Sequence, residues 1–559
     1  MRHSKPTEQD SKTDYSVSPV EHEIVVDKDV PIQVRDGTTL YADIYRPNSP
    51  GKFPVLLAHS PYLKDIDEMF PKPVPDYDSR EMPMASFFVP RGYVIVRLDV
   101  RGIGKSEGHF ELLSLQEAED AYDVIEWAAQ QTWSNGRSSV GGGVGYYSIA
   151  SWKVASLRPP HLTTMLSWDG DADIYRGQVY RGGMYLAALG FYYEIISASQ
   201  LLAGDPEYNL EGLSNNPFFD SLTNPLFNEF WQSKTPDLAQ IDIPVLMTES
   251  WGVNTVHGRG NIEPFLRMRE LGKENIKLRI HDNHDQAVYP DYTKYGSHTC
   301  AFFSDEGLLE QLRWYDYWLK DIDTGIMDEP PVKVWVRGGR DGGEFRYEHD
   351  WPLPDTQWTK FYLHGASAGA VTNSLNDGSL TNDPSQEQAI ISYEVGPEAY
   401  ARNMYMGLPT LSFSTPPLDV DTEVTGPVVL KLWVSSETDD MDVVAHLKDL
   451  APDESVDQLA DGWLKVSHRK LDPELTRDFR PFHSHDEELS MTPGEIYEIE
   501  LEVWPISHVF KAGHRIRLDI GAYAPGFYNK APYKIGKKNS IIMGGQHNSY
   551  LQLPIIPQR

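Results

Sequence analysis

A chain of 559 residues is longer than one hydrophobic core usually organises, so two or three folding units are expected. Hydrophobic residues make up 40% of it and aromatic residues 11%, which excludes a largely disordered or fibrous chain. The 82 acidic and 50 basic residues give a formal charge of -32, and the acids are dispersed; this argues for solubility and against nucleic acid or an anionic membrane surface as main partner.

A single cysteine, Cys300, excludes an internal disulfide framework and suits a reducing compartment. Within "GSHTCAFF" it reads as a half-buried thiol rather than a nucleophile. No apolar run approaches the ~20 residues needed to cross a bilayer, and no apolar leader core opens the sequence, so a cytoplasmic protein without a membrane partner is expected.

In chain order, residues 1–20 read as a flexible tail. From Val25, "VVDKDVPIQVRDGTTLYADIYRP" alternates apolar and polar residues around Asp36-Gly37, which predicts a hairpin. "FPVLLAHSPY" and "GYVIVRLDVRG" are short β-branched apolar runs, the form of strands buried on both faces in a parallel sheet. "LQEAEDAYDVIEWAAQQ", from Leu115 to Gln131, has apolar residues at helical spacing. A glycine-rich turn after Val140, a helix from about Ser148 and a strand in "HLTTMLSWDG" complete a βαβ alternation. Residues 171–239 are aromatic and lean to helix, as a cap inserted before "IPVLMTES" and "IEPFLRMREL" resume the pattern. From about 330, "VKVWVRG", "TKFYLHG", "AIISYEV", "PVVLKLWVSS", "MDVVAHLKDL", "GWLKVSHRKL", "EIYEIELEVW" and "RIRLDIGAY" predict a jelly-roll β-sandwich. The expected fold class is therefore α/β, with the α/β domain formed by 21–170 and 240–329, the cap by 171–239 and the β domain by 330–559.

"SVGGGVGYYSIASW" carries the question of function. As a dinucleotide loop it lacks the third glycine, where Ser148 stands, and no strand ending in an acid follows at the required distance. A packed strand-to-helix turn is a better reading. Better still is the elbow that presents a nucleophile in hydrolases of this architecture. The stretch "GVGYYSIASW" resembles the elbow of the cocaine esterase and X-prolyl dipeptidyl aminopeptidase group of serine hydrolases, roughly G-x-S-[YW]-x-[GA]. Aligning Gly143, Tyr146 and Trp152 to that pattern puts Gly145 at the serine position. "RDGTTLYADIYRP", "PVLLAHSPY", "GYVIVRLDVRGIGKSEGHF", "WAAQQTWSNGRSSVGG", "DGDADIYR" and "AGHRIRLDI" are similar to further segments of the same group.

The resemblance implies an α/β-hydrolase domain, an inserted helical cap and a C-terminal jelly roll, and acyl transfer by a serine–histidine–acid triad. It also implies an oxyanion hole from the Tyr62 hydroxyl and the backbone N–H of Tyr146. In this chain the acid position falls on Val253, beside Asn254, with Glu249 two residues before Trp251. The histidine loop "LRIHDNHDQAVYP" offers His284 first and His281 second, with Asp282 and Asp285 adjacent. One engineered change would explain Gly145 but not Val253. Ser148 lies a helical turn further on and reads as packing rather than as a substitute nucleophile.

The expected catalytic set is His284, Tyr62, Tyr146 and Gly145, with Tyr147, Trp168, Tyr175, Tyr180, Trp251, Asn254 and His281 lining the substrate site and no metal or cofactor. Tyr185, Phe191, Tyr192 and Tyr193 belong to the same aromatic stretch. Asp169, Asp171 and Asp173 in "DGDAD" lack cation-loop spacing and read as a surface turn. The leading expectation is an enzyme acting on a small aromatic or polycyclic molecule by acid/base chemistry and oxyanion stabilisation, giving cyclisation, isomerisation or C–C bond chemistry. A serine esterase, amidase or peptidase with an altered nucleophile, and a non-catalytic binding protein, remain alternatives. A homo-oligomer is left open.

Overall fold

The computed structural model describes residues 16–66, 81–186, 188–251, 258–282, 301–339, 342–370, 374–395, 410–522, 527–528 and 537–558. In chain order the first twelve strands are β1 (Ile24–Gln33), β2 (Thr39–Pro47), β3 (Phe53–Ser60), β4 (Val94–Asp99), β5 (Ser134–Val144), β6 (Leu162–Trp168), β7 (Tyr180–Arg181), β8 (Met184–Leu186), β9 (Val245–Trp251), β10 (Ile276–Asp282), β11 (Val332–Arg337) and β12 (Gly343–Glu348).

Strands β1 and β2 form the expected hairpin, closed at Gly37, whose φ of 90° only glycine adopts without strain. β2 runs antiparallel to β4, and from there the order β4-β3-β5-β6-β9-β10-β11 is parallel throughout, with antiparallel β12 at the far edge. Helices cover both faces. The helix Leu115–Ala129 starts where the Ser114 hydroxyl accepts the Glu117 N–H at 3.0 Å, and it turns Ala118, Ala121, Val124, Ile125 and Ala128 onto the sheet. On that face it packs beside Tyr146–Ser156 and Ile262–Glu270, and the opposite face is covered by Asp305–Lys320 through Leu308, Leu312 and Trp314.

Four expectations need correction. "VKVWVRG" is β11, which pairs in parallel with β10 rather than lying wholly in the sandwich, although its end, Arg337, also pairs with His508; Val332, Val334, Val336, Trp351 and Leu353 join the core of the α/β domain. The glycines 141–143 lie inside β5 rather than in a turn, and the helix after them starts at Tyr146, not Ser148. The tail also shortens, because residues 16–20 belong to the described fold and Ser18 is buried there. Its N–H and hydroxyl both donate to the Asp316 carboxylate at 2.6 Å. Last, Asp169, Asp171 and Asp173 are buried instead of forming a surface turn.

Between β6 and β9 the chain makes the cap: a π-helical turn Tyr175–Val179, the β7–β8 hairpin, and helices Ala188–Ala203, Pro217–Thr223 and Glu229–Lys234. Phe527–Tyr528, from the C-terminal domain, adds a third strand to that hairpin. The C-terminal domain is a β-sandwich. Its longest pair, Thr422–Ser436 and Tyr497–Phe510, runs antiparallel and contributes Leu430, Leu432, Val434, Leu501 and Val503 to a second core.

Candidate active site at the elbow

β5 delivers the chain to Gly145, which holds φ 62° and ψ -118° before the helix Tyr146–Ser156 begins. A side chain in that conformation is strained, and glycine takes it freely. The Gly145 N–H donates to the Trp168 carbonyl at 3.2 Å, while its own carbonyl accepts from Ser148 at 3.0 Å and Ile149 at 2.9 Å. This strand–turn–helix summit displays whatever side chain residue 145 carries, and here it carries none. The glycines before it serve packing. A Cβ on Gly141 would strike the Leu166 carbonyl, one on Gly142 the Tyr315 hydroxyl, and one on Gly143 the Glu81 carbonyl at 2.5 Å. With those approaches filled by protein, the run does not cradle a pyrophosphate.

Ser148 is fully buried and committed. Its hydroxyl donates to the Gly143 carbonyl at 2.6 Å and accepts the Trp168 N–H at 2.8 Å, tying the elbow to β6 from below. It is a brace and not a nucleophile.

Tyr62 follows β3 in a turn closed by Ser60, whose hydroxyl accepts the Tyr62 N–H at 3.2 Å and donates to its carbonyl at 3.1 Å. Its ring meets Tyr146 edge-on at 5.9 Å and Tyr147 at 6.2 Å, and Tyr147 packs with Ala58 and Met82. The turn is anchored by Lys64, buried among Asp65 at 2.6 Å, Asp29 at 2.8 Å and Asp43 at 3.1 Å, with its N–H on Asp99 at 2.7 Å. Burial alone would neutralise this ammonium, but Asp99, Asp29, Asp65 and Asp43 hold it well above its ordinary value. Burial pushes Asp99 up to about 8 against the pull of Lys64.

Tyr146 turns its ring away from the summit. Its hydroxyl donates to the Glu117 carboxylate at 2.8 Å and accepts the Leu113 N–H at 3.3 Å. Burial pushes Glu117 up to about 8, opposed by the Tyr146 hydroxyl and by the Leu113 N–H at 2.9 Å. What Tyr146 presents at the elbow is its backbone N–H, which at the first helical position has no intrahelical partner.

The remaining expected residues are mostly elsewhere. His281 stacks on Trp168 with centroids 5.1 Å apart and an interplanar angle of 21°, and its Nε2 lies 3.6 Å from Glu310 on the covering helix. Both rings are buried; His281 clamps the sheet to that helix and does not line a substrate site. Trp251 is buried too, donating from Nε1 to the Trp335 carbonyl at 2.9 Å. Tyr175 and Tyr180 stack on each other at 5.2 Å and donate to the Pro225 and Ser221 carbonyls, which fixes them as the cap's own core. Tyr185 shares a hydrogen bond with Ser221, and Tyr193 donates to Leu213. His284, Asn254, Val253, Asp285 and Cys300 lie outside the described residues, as do the side chains of Phe191 and Tyr192.

Sequence reasoning missed the buried carboxyls. Asp169, after β6, and Glu249, on β9, face each other: burial raises both carboxyls above the ordinary carboxylate range, and the charge of Asp169 raises Glu249 further. Glu249 accepts from the Asn261 and Ser250 N–H groups at 3.0 and 3.2 Å, which commits it to this buried network. Ser114 and Glu117 stand at capping-box spacing, a signal the sequence did offer for one of these acids. Lys64 had none.

Residues 36–284 match the family described as X-Pro dipeptidyl-peptidase (S15 family), and residues 324–552 match the X-Pro dipeptidyl-peptidase C-terminal non-catalytic domain. The chain is 26% identical to a cocaine esterase from Rhodococcus sp. (strain MB1 Bresler), over 95% of its own length and 98% of the relative's. A putative Xaa-Pro dipeptidyl-peptidase from Bacillus cereus is 24% identical over 83% of this chain and 78% of that one. The crystal structure of a CocE/NonD family hydrolase from Staphylococcus aureus superposes with a TM-score of 0.81 at 30% identity, over 96% of this chain and 94% of that one. With the elbow, the sheet order and the β-sandwich all in place, the chain belongs to the CocE/NonD group of S15-family α/β-hydrolases.

Proposed function

We propose that the chain is an α/β-hydrolase-fold enzyme that acts on a small carbonyl compound without forming a serine acyl-enzyme. The observation that carries this is Gly145 at the elbow summit, together with the commitment of Ser148 beneath it. The Tyr146 N–H and the Tyr62 hydroxyl are the donors for an oxyanion or enolate, a contribution of several kcal/mol where such donors are preorganised. His284, as acid/base, exchanges a proton with the bound substrate. Isomerisation, cyclisation and retro-aldol cleavage all use this set. An aromatic or polycyclic substrate loses most of its support, because Tyr175, Tyr180, Trp168 and Trp251 are occupied by protein; among the described residues Tyr62, half-buried, is the ring beside the elbow that is not fully enclosed.

A fluorophosphonate probe tests the reading. The intact mass is expected to stay unchanged, and stoichiometric labelling overturns it. The second reading, hydrolysis of an ester or amide, is favoured by the company the chain keeps, since the relatives are named esterases and peptidases. On that reading, Gly145→Ser restores strong ester hydrolysis in a single step. The same variant stays inactive if the site has been rebuilt for other chemistry.

A further inference from the structure

The cap meets the β-sandwich at a cluster of three buried imidazoles that the elbow chemistry does not use. His468 Nδ1 lies 3.1 Å from His485 Nδ1, and the His485 ring is 5.7 Å from His483. All three are buried, and His483 Nε2 has no hydrogen-bond partner. Cap and histidine segment are fastened around them. Arg176 of the cap donates from Nε to the His483 carbonyl at 3.0 Å and from Nη2 to the Ser484 carbonyl at 2.9 Å; Phe227 donates its N–H to the His485 carbonyl at 2.8 Å. The Tyr175 ring packs on His485 at 5.5 Å, and the β7–β8 turn is seated by Lys465 N–H on the Gly182 carbonyl, with Gly183 directly against the His468 ring.

We propose that His468, His483 and His485 form a pH-operated latch: neutral, they let the cap close on the β-sandwich, and proton uptake releases it.

The Nδ1–Nδ1 contact needs one ring as donor and the other as acceptor, so a proton on both destroys it. The charged surroundings oppose such a proton. Arg176 reaches in from the cap, Arg259 from the α/β domain and Lys465 from the β-sandwich. Asp173 is paired with Arg176 at 2.8 Å, and Glu502 with Arg259 at 3.0 Å, so neither is free to stabilise an imidazolium. Glu488, 3.6 Å from His468 Nε2, and Asp440 favour charge on His468 alone, and Glu488 is half exposed. Burial first, and the arginines second, push His483 down to about 3 and His485 well below the imidazole range; burial also lowers His468. The released state, with ordinary imidazoles, therefore binds more protons below pH ~6.5. Opening gains up to about tenfold per pH unit for each histidine freed.

Amide hydrogen exchange of the intact chain between pH 7.5 and 5, corrected for the chemical exchange rate, tests the latch. Segments 175–186 and 227–234 are expected to open at least tenfold more per unit below pH ~6.5, while Thr422–Ser436 and Tyr497–Phe510 stay protected. His485→Asn, at a φ of 55° that asparagine tolerates, is expected to flatten that slope by one proton. A wild-type profile in which cap and sandwich core respond alike, or in which the cap does not respond, overturns the proposal whether or not the variant folds. So does a slope unchanged in both His485→Asn and His483→Gln.

Discussion

The hydroxyl of Ser148 accepts the backbone N–H of Trp168 at 2.8 Å, so the serine in the first turn after the elbow is spent on joining its helix to the adjacent strand. Ser148→Ala strands that N–H and the Gly143 carbonyl in a dry interior. A loss of about 1–3 kcal/mol per stranded group is expected in denaturant unfolding. Reactivity toward a fluorophosphonate should not change, because this hydroxyl was never its target.

At Gly145 the cost of any side chain is local. Gly145→Ala puts a Cβ at φ 62°, and unfolding should show a loss of about 1–2 kcal/mol. Gly141→Ala should cost more, since its Cβ meets the Leu166 carbonyl in the middle of the sheet and the strand spacing itself must change.

Glu117 gives the stability of the elbow a pH dependence. Its folded value, pushed up to about 8 by burial, lies above the ordinary carboxyl value of 4.5. The folded state thus binds the extra proton between those limits, and stability falls as pH rises from about 4.5 to about 8. Glu117→Gln removes the titration while still accepting the Tyr146 hydroxyl. Urea midpoints at pH 5, 6, 7 and 8 should show the variant gaining on the parent, on the order of 1 kcal/mol per pH unit.

Lys64 is the internal counter-ion of Asp29, Asp43, Asp65 and Asp99. Lys64→Met leaves Asp29 to Lys105, and Asp43 and Asp65 to the half-exposed Lys28, with no buried cation among them, and a loss of roughly 3–5 kcal/mol is expected. The turn carrying Tyr62 should loosen with it, visible as faster amide exchange at residues 60–66.

The α/β order was legible because β3, β4 and β9 each open on a short apolar run and Leu115–Ala129 keeps its 3.6-residue period; these signals are local. The position of Gly145 was legible from the flanking Gly143, Tyr146 and Trp152. What the sequence concealed is direction. Tyr175, Tyr180, Trp168 and Trp251 look alike as ring-bearing candidates, and only packing distinguishes a ring that closes on its neighbours from one that faces a ligand. The pairing of β11 with β10 is hidden for a related reason: an apolar strand beside a domain boundary reads the same whichever sheet accepts it. The burial of Asp169 and Glu249 is hidden in the sequence, and Glu117 shows there only its capping-box spacing, because burial of a charge depends on the partners that arrive from distant segments.

The seam between the two large units has a practical consequence. Val332–Arg337 supplies the last parallel partner of the first sheet, although it precedes the sandwich in the chain. A fragment ending near residue 330 would leave one edge of the β10 backbone unpaired, ready to recruit a neighbouring molecule and precipitate. One ending after Leu353 keeps that edge covered and is the shorter polypeptide to express alone.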